Sequence, residues 1–186
     1  MKFRGNREQL LEAVTVLSTV IAPRSIKPIL LNLRLVVDPE GASLLATDLE
    51  VAVRYRLPLE SVEESGDVLL PAARFLGILR ESGGTDVVVE TEEGVVHITC
   101  GSGRFRIMGA DPEEFPQVPV FEDDGALTIG RDALRTLIRK TSFACAREKA
   151  RYAFNAVRLE IESDEARMVA SDGKRMAVKS VPLENP

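Results

Sequence analysis

The sequence predicts an α+β fold made of repeated β-α-β-β-β units, and three observations carry that prediction. Short stretches of alternating apolar and polar residues, bounded by Gly, Pro and Asp, outnumber the helical stretches. The first two helical stretches each follow one such strand and precede three more. The pattern at the start of the chain then returns 124 positions later, taking Arg7 onto Arg131 and Asp48 onto Asp172.

Element by element, residues 1–4 (MKFR) read as a strand. Residues 7–22 read as a helix, because Leu10, Leu11, Val14, Leu17 and Ile21 recur at three- and four-residue spacings before Pro23 ends it. Residues 29–37 alternate, with Leu31, Leu33, Leu35 and Val37 on one face, and Asp38-Pro39-Glu40-Gly41 turns the chain. Strands over 43–47 and 51–59 complete the first unit. A second unit follows, with a strand over 67–70, a helix opened by Pro71 and closed by Ser82-Gly83-Gly84, and strands over 86–91, 95–100 and 104–108. Glu92-Glu93-Gly94 and Gly101-Ser102-Gly103 serve as their hairpin turns.

Residues 1–122 thus form one complete domain, with a Pro-rich acidic linker over 111–124 (DPEEFPQVPVFEDD). Residues 125–186 repeat only the first unit, placing Arg34-Leu35 over Arg158-Leu159, Ala46 over Ala170, and Pro58-Leu59-Glu60 over Pro182-Leu183-Glu184. Such a half-domain leaves a sheet edge and an apolar helix face uncovered, as expected for a piece of a longer chain.

Several functional classes can be weighed on residues alone. The net charge of −5 disfavours a uniformly basic nucleic-acid binder, although a local basic surface suffices to meet phosphates. No apolar run is long enough to span a membrane, and MKFRGNREQ lacks the apolar stretch of a signal peptide, so a cytoplasmic location is expected. Cys100 and Cys145 have no CxxC spacing and are expected to be reduced, buried small residues. The only histidine, His97, lies between the apolar-face residues Val96 and Ile98 and is expected on the exposed side, with no nucleophile to serve. Asp48 and Glu50, two apart on a strand, would put two carboxylates on one face and could seat a divalent cation. That makes a metal-dependent nuclease or hydrolase one alternative function. A scaffold that oligomerises through its sheet edges, without DNA, is another.

The second-copy helix, RDALRTLIRKTSFACA, sets Leu134, Leu137, Ile138 and Thr141 on one side and Arg131, Arg135 and Arg139 on the other. Lys140 and the segment Arg147, Lys149, Arg151 add charge just beyond. This stripe suits phosphate contact without base reading, or equally an ordinary solvated helix face. In ASDGKR, Asp172-Gly173 signals a tight hairpin turn. Phe105 and Ile107 alternate with Arg104 and Arg106 on the last strand of the first domain.

The segments MKF, RSIKPILLNLRL, LLATDLEVAV, VLLPAARFLGILR, EEFPQVP, RYAFNAVRLE and ASDGKRMAV follow one another in an order and spacing that resembles the N-terminal portion of the bacterial DNA polymerase III beta subunit family, the beta sliding clamps. The resemblance covers the whole chain. It implies a DNA-clamp fold, with each domain built from two β-α-β-β-β units whose two helices pack on antiparallel sheets. It also implies three such domains per chain, so that here the third and the rest of the second are absent. In the family two chains close head to tail into a homodimeric ring around duplex DNA. The implied role is a non-catalytic processivity factor, without cofactor or metal, that tethers the polymerase catalytic subunit, the clamp loader and other proteins bearing a clamp-binding motif.

Residue by residue, the resemblance implies DNA contacts at Arg24, Arg74, Arg135, Arg139, Lys149 and Tyr152. At Arg74 the neighbouring Ala73 stands where another basic residue is frequent, which weakens that contact. Tyr152 could donate its hydroxyl to phosphate or pack as a half-buried ring. Ser171, Gly173, Lys174, Arg175 and Met176, with Phe154 across from them, would line part of a cleft for partner peptides, its remaining wall coming from the third domain. Phe105 and Ile107 would belong to the subunit interface.

Overall fold

Strand β1 (Lys2–Asn6) passes directly into helix α1 (Arg7–Leu17). Asn6 makes the junction, as its Oδ1 accepts from the backbone N–H of Glu8 at 3.0 Å and of Gln9 at 3.2 Å. The helix stops at Leu17, short of the predicted residue 22. Thr19 and Val20 donate only three residues back, and the Ser18 and Thr19 hydroxyls occupy the carbonyls of Val14 and Val16, tightening the last turn. A 3-10 turn, Pro28–Leu31, replaces the start of the predicted strand over 29–37, so β2 runs Asn32–Asp38. The computed structural model describes residues 1–21, 26–119, 127–146, 154–162 and 164–183.

After β3 (Gly41–Thr47), β4 (Ala52–Leu57) ends where Pro58 withholds the N–H that another ladder bond needs. The predicted strand over 51–59 is therefore cut short, and a strand that periodicity missed, β5 (Ser61–Glu64), follows it. The second unit runs β6 (Gly66–Pro71), α2 (Ala72–Glu81), β7 (Asp86–Glu92), β8 (Val95–Cys100) and β9 (Gly103–Met108). At the β7–β8 hairpin Glu93 and Gly94 both have positive φ, 46° and 79°, the backbone that a two-residue turn needs to match strand twist.

The two units exchange their first strands. One sheet has the order β5-β1-β7-β8-β9 and the other β4-β3-β2-β6. In both exchanges the strand residue just before the helix pairs with the first residue of the receiving strand: Asn6 with Asp86, and Pro71 with Asn32. Helices α1 and α2 pack on each other, and one core joins both units through residues such as Phe3, Leu10, Val14, Leu35, Phe75 and Ile98. The start of the predicted linker is held against the four-stranded sheet, because Phe115 is buried with Leu45 and Leu69, on the face away from that core.

Residues 120–186 form a second compact unit. Its elements α3 (Arg131–Thr141), β10 (Arg158–Ile161), β11 (Glu165–Ser171) and β12 (Met176–Pro182) reproduce α1, β2, β3 and β4 at the 124-position offset. The register follows too: Arg158 pairs with Val169 as Arg34 pairs with Leu45. The predicted helix over 131–146 breaks after Thr141 into a 3-10 turn, Ser142–Ala144. Cys100 is buried, whereas Cys145 is half-buried rather than buried; both are free thiols. His97 is likewise half-buried, not exposed. Among the described residues no helix is long and apolar enough to cross a membrane.

Candidate functional site

Helix α3 buries Leu137 and Thr141 against β11 and β12, and this fixes which of its faces remains outside. Arg135, Arg139 and Lys140 project from it exposed and have no ion-pair partner among the described residues. Among the described residues Arg131 forms an ion pair only with its neighbour Asp132, at 3.6 Å and in the open. The first copy holds Leu11, Thr15 and Val16 at the positions of Arg135, Arg139 and Lys140, so the basic stripe belongs to the second copy alone. Ile138 departs from expectation: predicted on the apolar face, it is exposed and lines a shallow groove with Leu134, Arg135 and Arg139. Arg74 is exposed on α2, near its start. Arg24, Lys149 and Tyr152 lie outside the described residues.

The loop between β11 and β12 is not the two-residue turn that Asp-Gly suggests. Ser171 pairs with Met176, leaving four residues between them. Asp172 Oδ1 accepts from the N–H groups of Lys174 and Arg175, both at 3.0 Å, while Ser171 Oγ accepts from Gly173 N–H at 3.1 Å and donates to the Arg175 carbonyl at 2.8 Å. The β3–β4 loop repeats this bond for bond. Asp48 Oδ1 accepts from Glu50 and Val51, and Thr47 Oγ1 accepts from Leu49 and donates to the Val51 carbonyl. The N–H groups of Lys174 and Arg175 hold the Asp172 carboxyl below its usual range, and those of Val51 and Glu50 do the same for Asp48.

That geometry corrects the metal reading. Asp48 and Glu50 sit in a loop, not on one face of a strand, and Asp48 Oδ1 is engaged by the backbone. Among the described residues no three His, Cys, Asp or Glu side chains converge to hold an ion.

Arg175 is anchored where its counterpart Val51 is free. Its Nε donates to Asp172 Oδ2 at 2.9 Å, its Nη2 donates to the Phe143 carbonyl at 2.9 Å, and its guanidinium lies 5.8 Å from the centre of the Phe143 ring. The aromatic that meets this loop is thus Phe143, which the sequence reading left inside a helix. Phe154 is half-buried, and its carbonyl accepts from Ala146 N–H at 2.9 Å. Met176 and Val178 are exposed on the face of β12 turned away from α3, where β4 carries Ala52 and Arg54. On β9 the side chains of Phe105 and Ile107 turn inward: Ile107 is buried in the core and Phe105 packs against it. Among the described residues β9 is the last strand of its sheet, with Arg104, Arg106 and Met108 outward.

Comparison with known proteins gives these surfaces a family. The model for the DNA polymerase III beta subunit N-terminal domain matches residues 1–119, and that for the central domain matches residues 128–186. The chain belongs to the DNA polymerase III beta subunit family. Beta sliding clamps from Pseudomonas aeruginosa and Vibrio cholerae are 35% and 34% identical over 100% and 98% of the chain, which spans 51% and 50% of their lengths. The solved beta subunit from P. aeruginosa bound to griselimycin overlays all of this chain on 51% of its own with a TM-score of 0.93 at 33% identity. The Bacillus subtilis polymerase sliding clamp does so at 0.92 and 27%. The α+β clamp fold expected from the sequence is the fold of these beta subunits.

Proposed function

We propose that this chain is part of a sliding clamp, a non-catalytic processivity factor that encircles duplex DNA and tethers a replicative polymerase in the cytoplasm. The observation that carries the reading is the face of α3, where Arg135 and Arg139 stand exposed without counter-ions among the described residues, on the unit matched by the central-domain model. An unpaired guanidinium keeps its full charge for phosphate, and a helix face that reads no bases leaves the clamp free to slide. Arg24, Arg74, Lys149 and Tyr152 complete the DNA-contacting set by family resemblance.

Partner proteins, among them the polymerase catalytic subunit and the clamp loader, engage the opposite side of the same sheet. Exposed Met176 and Val178 supply adaptable apolar surface there, and the Arg175–Phe143 pair fixes the rim. Ser171, Gly173, Lys174 and Phe154 belong to this cleft by the resemblance. Head-to-tail homodimerisation, with β9 and its residues Phe105 and Ile107 at the subunit boundary, is part of the same proposal.

Fluorescence anisotropy of the chain on labelled duplexes of unrelated sequence tests it. Equal affinities that fall steeply with salt are expected, and an affinity independent of salt would falsify DNA contact and favour a scaffold without DNA.

A further inference from the structure

We propose that residues 109–118 form a latch, anchored by Phe115 in a groove on the outer face of the four-stranded sheet. The latch sets where the connection to the second unit begins, after Pro119 instead of at Asp111. The strands beneath it are built for a cover. In β8 the buried residues alternate, with Val96, Ile98 and Cys100 inside. Strands β3 and β6 instead bury consecutive residues, Leu44, Leu45 and Ala46 in one and Val68, Leu69 and Leu70 in the other. Leu44, Ala46, Val68 and Leu70 belong to the main core, so Leu45 and Leu69 must be covered from the opposite face. Phe115 covers them.

The groove closes tightly around its occupant. Phe115 is 5% exposed, Leu45 7% and Leu69 0%, and Ile29, Val36, Ala110 and Val118 pack against them. The chain reaches this face from β9 by a close crossing at Gly109. Its N–H donates to the Gly94 carbonyl at 2.9 Å, and a Cβ there would come within 2.8 Å of Val68 Cγ2. Ala110 then exchanges two backbone hydrogen bonds with Leu69, at 3.0 and 3.3 Å. They fall on the edge of β6 that β2 leaves open, so the latch also caps the end of that sheet.

The segment is stiff, which makes docking cheap. Pro112 opens a 3-10 turn in which Asp111 Oδ1 accepts from Glu113 N–H at 2.9 Å and Phe115 N–H donates to the Pro112 carbonyl at 3.1 Å. Pro116 and Pro119 follow. Each proline ring fixes its φ in the released segment as well as the docked one, so less backbone freedom is lost on docking. Glu113, Glu114 and Gln117 are exposed, which leaves Phe115 as the one large apolar anchor. A hold of one anchor and one bridge can open without unfolding the main core, which lies on the other face of the sheet. Once open, residues 109–118 would extend the reach between the units by up to about 35 Å. Nothing in the latch requires DNA or a partner protein.

Amide exchange of the full chain reads the latch at Ala110, whose N–H is held by the Leu69 carbonyl. Phe115→Ala should speed that exchange about a hundredfold, while the amides of β8 keep their rates. Cleavage after Glu113 or Glu114 by a glutamate-specific protease should accelerate with it. Phe115→Leu, which refills the groove, should restore most of the protection. Ala110→Pro, which removes the bridging N–H at the other end, should speed cleavage as Phe115→Ala does. In a Cys145→Ser background, dyes on Gln9→Cys and Thr136→Cys should report longer inter-dye distances once Phe115→Ala is added; Cys100, 1% exposed, does not compete for dye. Unchanged exchange and cleavage in Phe115→Ala overturn the docking. Lost protection across β8 as well would make Phe115 a part of the core and overturn the latch. Unchanged inter-dye distances would overturn its control of reach.

Discussion

Two loops in this chain share one backbone and present different surfaces. Residues 47–52 and 171–176 each use an Asp carboxylate to accept two N–H groups, and a hydroxyl that both donates and accepts. Each also places its third residue in the left-handed region, Leu49 at φ 81° and Gly173 at φ 86°. The residues that fasten the loop are common to both copies; those that face outward have changed. Glu50 and Val51 become Lys174 and Arg175, Arg54 on the adjoining strand becomes Val178, and Thr15 and Val16 on the helix become Arg139 and Lys140. Backbone geometry and surface chemistry are therefore separable here: the side chains that determine the fold point inward or back into the loop, leaving the outer ones free to specialise.

The largest expected break in that comparison is on the helix. Arg135→Glu with Arg139→Glu should lower the log–log salt slope of DNA affinity by about 1 per arginine, and affinity should fall at every sequence alike. Thr15→Arg with Val16→Lys, which writes the end of the stripe onto exposed positions of the first copy, offers the converse test, read as a gain in salt slope. Arg175→Ala should come next. It removes the hydrogen bond to the Phe143 carbonyl and the ring contact, at a cost of about 1.5 kcal/mol in urea unfolding. Val51→Ala, at the matching exposed position, should change stability by less than about 0.5 kcal/mol.

Much of this is legible in the sequence, for identifiable reasons. The repeat, α1, α3 and the alternating strands rest on periodicity, which burial of one face enforces. β5 was missed because four residues with a single apolar one, Val62, carry no period; β1 defines the strand by lending it an edge. Ile138 was assigned to a buried face because a helical wheel assumes a partner on that side, and in the first copy α2 is that partner. The Asp-Gly turn was misjudged because a dipeptide rule ignores the Ser171 and Asp172 side chains, which hold a wider loop. Phe143 escaped notice for a similar reason: nothing in TSFACA marks the 3-10 turn that brings its carbonyl to Arg175. The arginine stripe was readable, since exposed charge at four-residue spacing needs no tertiary information.

A smaller effect separates the two loops at their third residue. A non-glycine side chain in the left-handed region costs about 1 kcal/mol from the clash of Cβ with its own backbone. Leu49 bears that cost and Gly173 does not. Leu49→Gly should thus stabilise residues 1–119 by somewhat less than about 1 kcal/mol, since glycine also gains freedom in the unfolded chain. Gly173→Leu should destabilise the second unit by about the same amount, through the backbone, because no other group among the described residues lies within 4 Å of a Cβ placed there. If Gly173→Leu proved neutral, the loops would share hydrogen bonds but not their strain.

The last test uses pH and should be the weakest, because Asp48 is exposed and Asp172 only half-buried, so solvent screens both carboxylates. Asp172 and Asp48 titrate below the ordinary Asp value of about 3.9 because backbone N–H groups favour the charged form. For an acid whose folded pKa is depressed, the stabilising contribution is fully present above the unfolded value and is lost as pH falls through the folded one. Both loops should accordingly hold their amides at neutral pH and loosen only below about pH 4. Asp172 has the Arg175 guanidinium as a further contributor, and Asp48 has no such partner among the described residues. High salt should therefore shift the acid transition of the Asp172 loop toward higher pH while moving that of the Asp48 loop less, as followed through the Arg175 and Val51 amides by NMR. Asp172→Asn, which keeps an acceptor without a titrating charge, should remove the transition from the second loop alone. Equal salt shifts at both amides would show that Arg175 adds surface chemistry without adding to the loop's electrostatics.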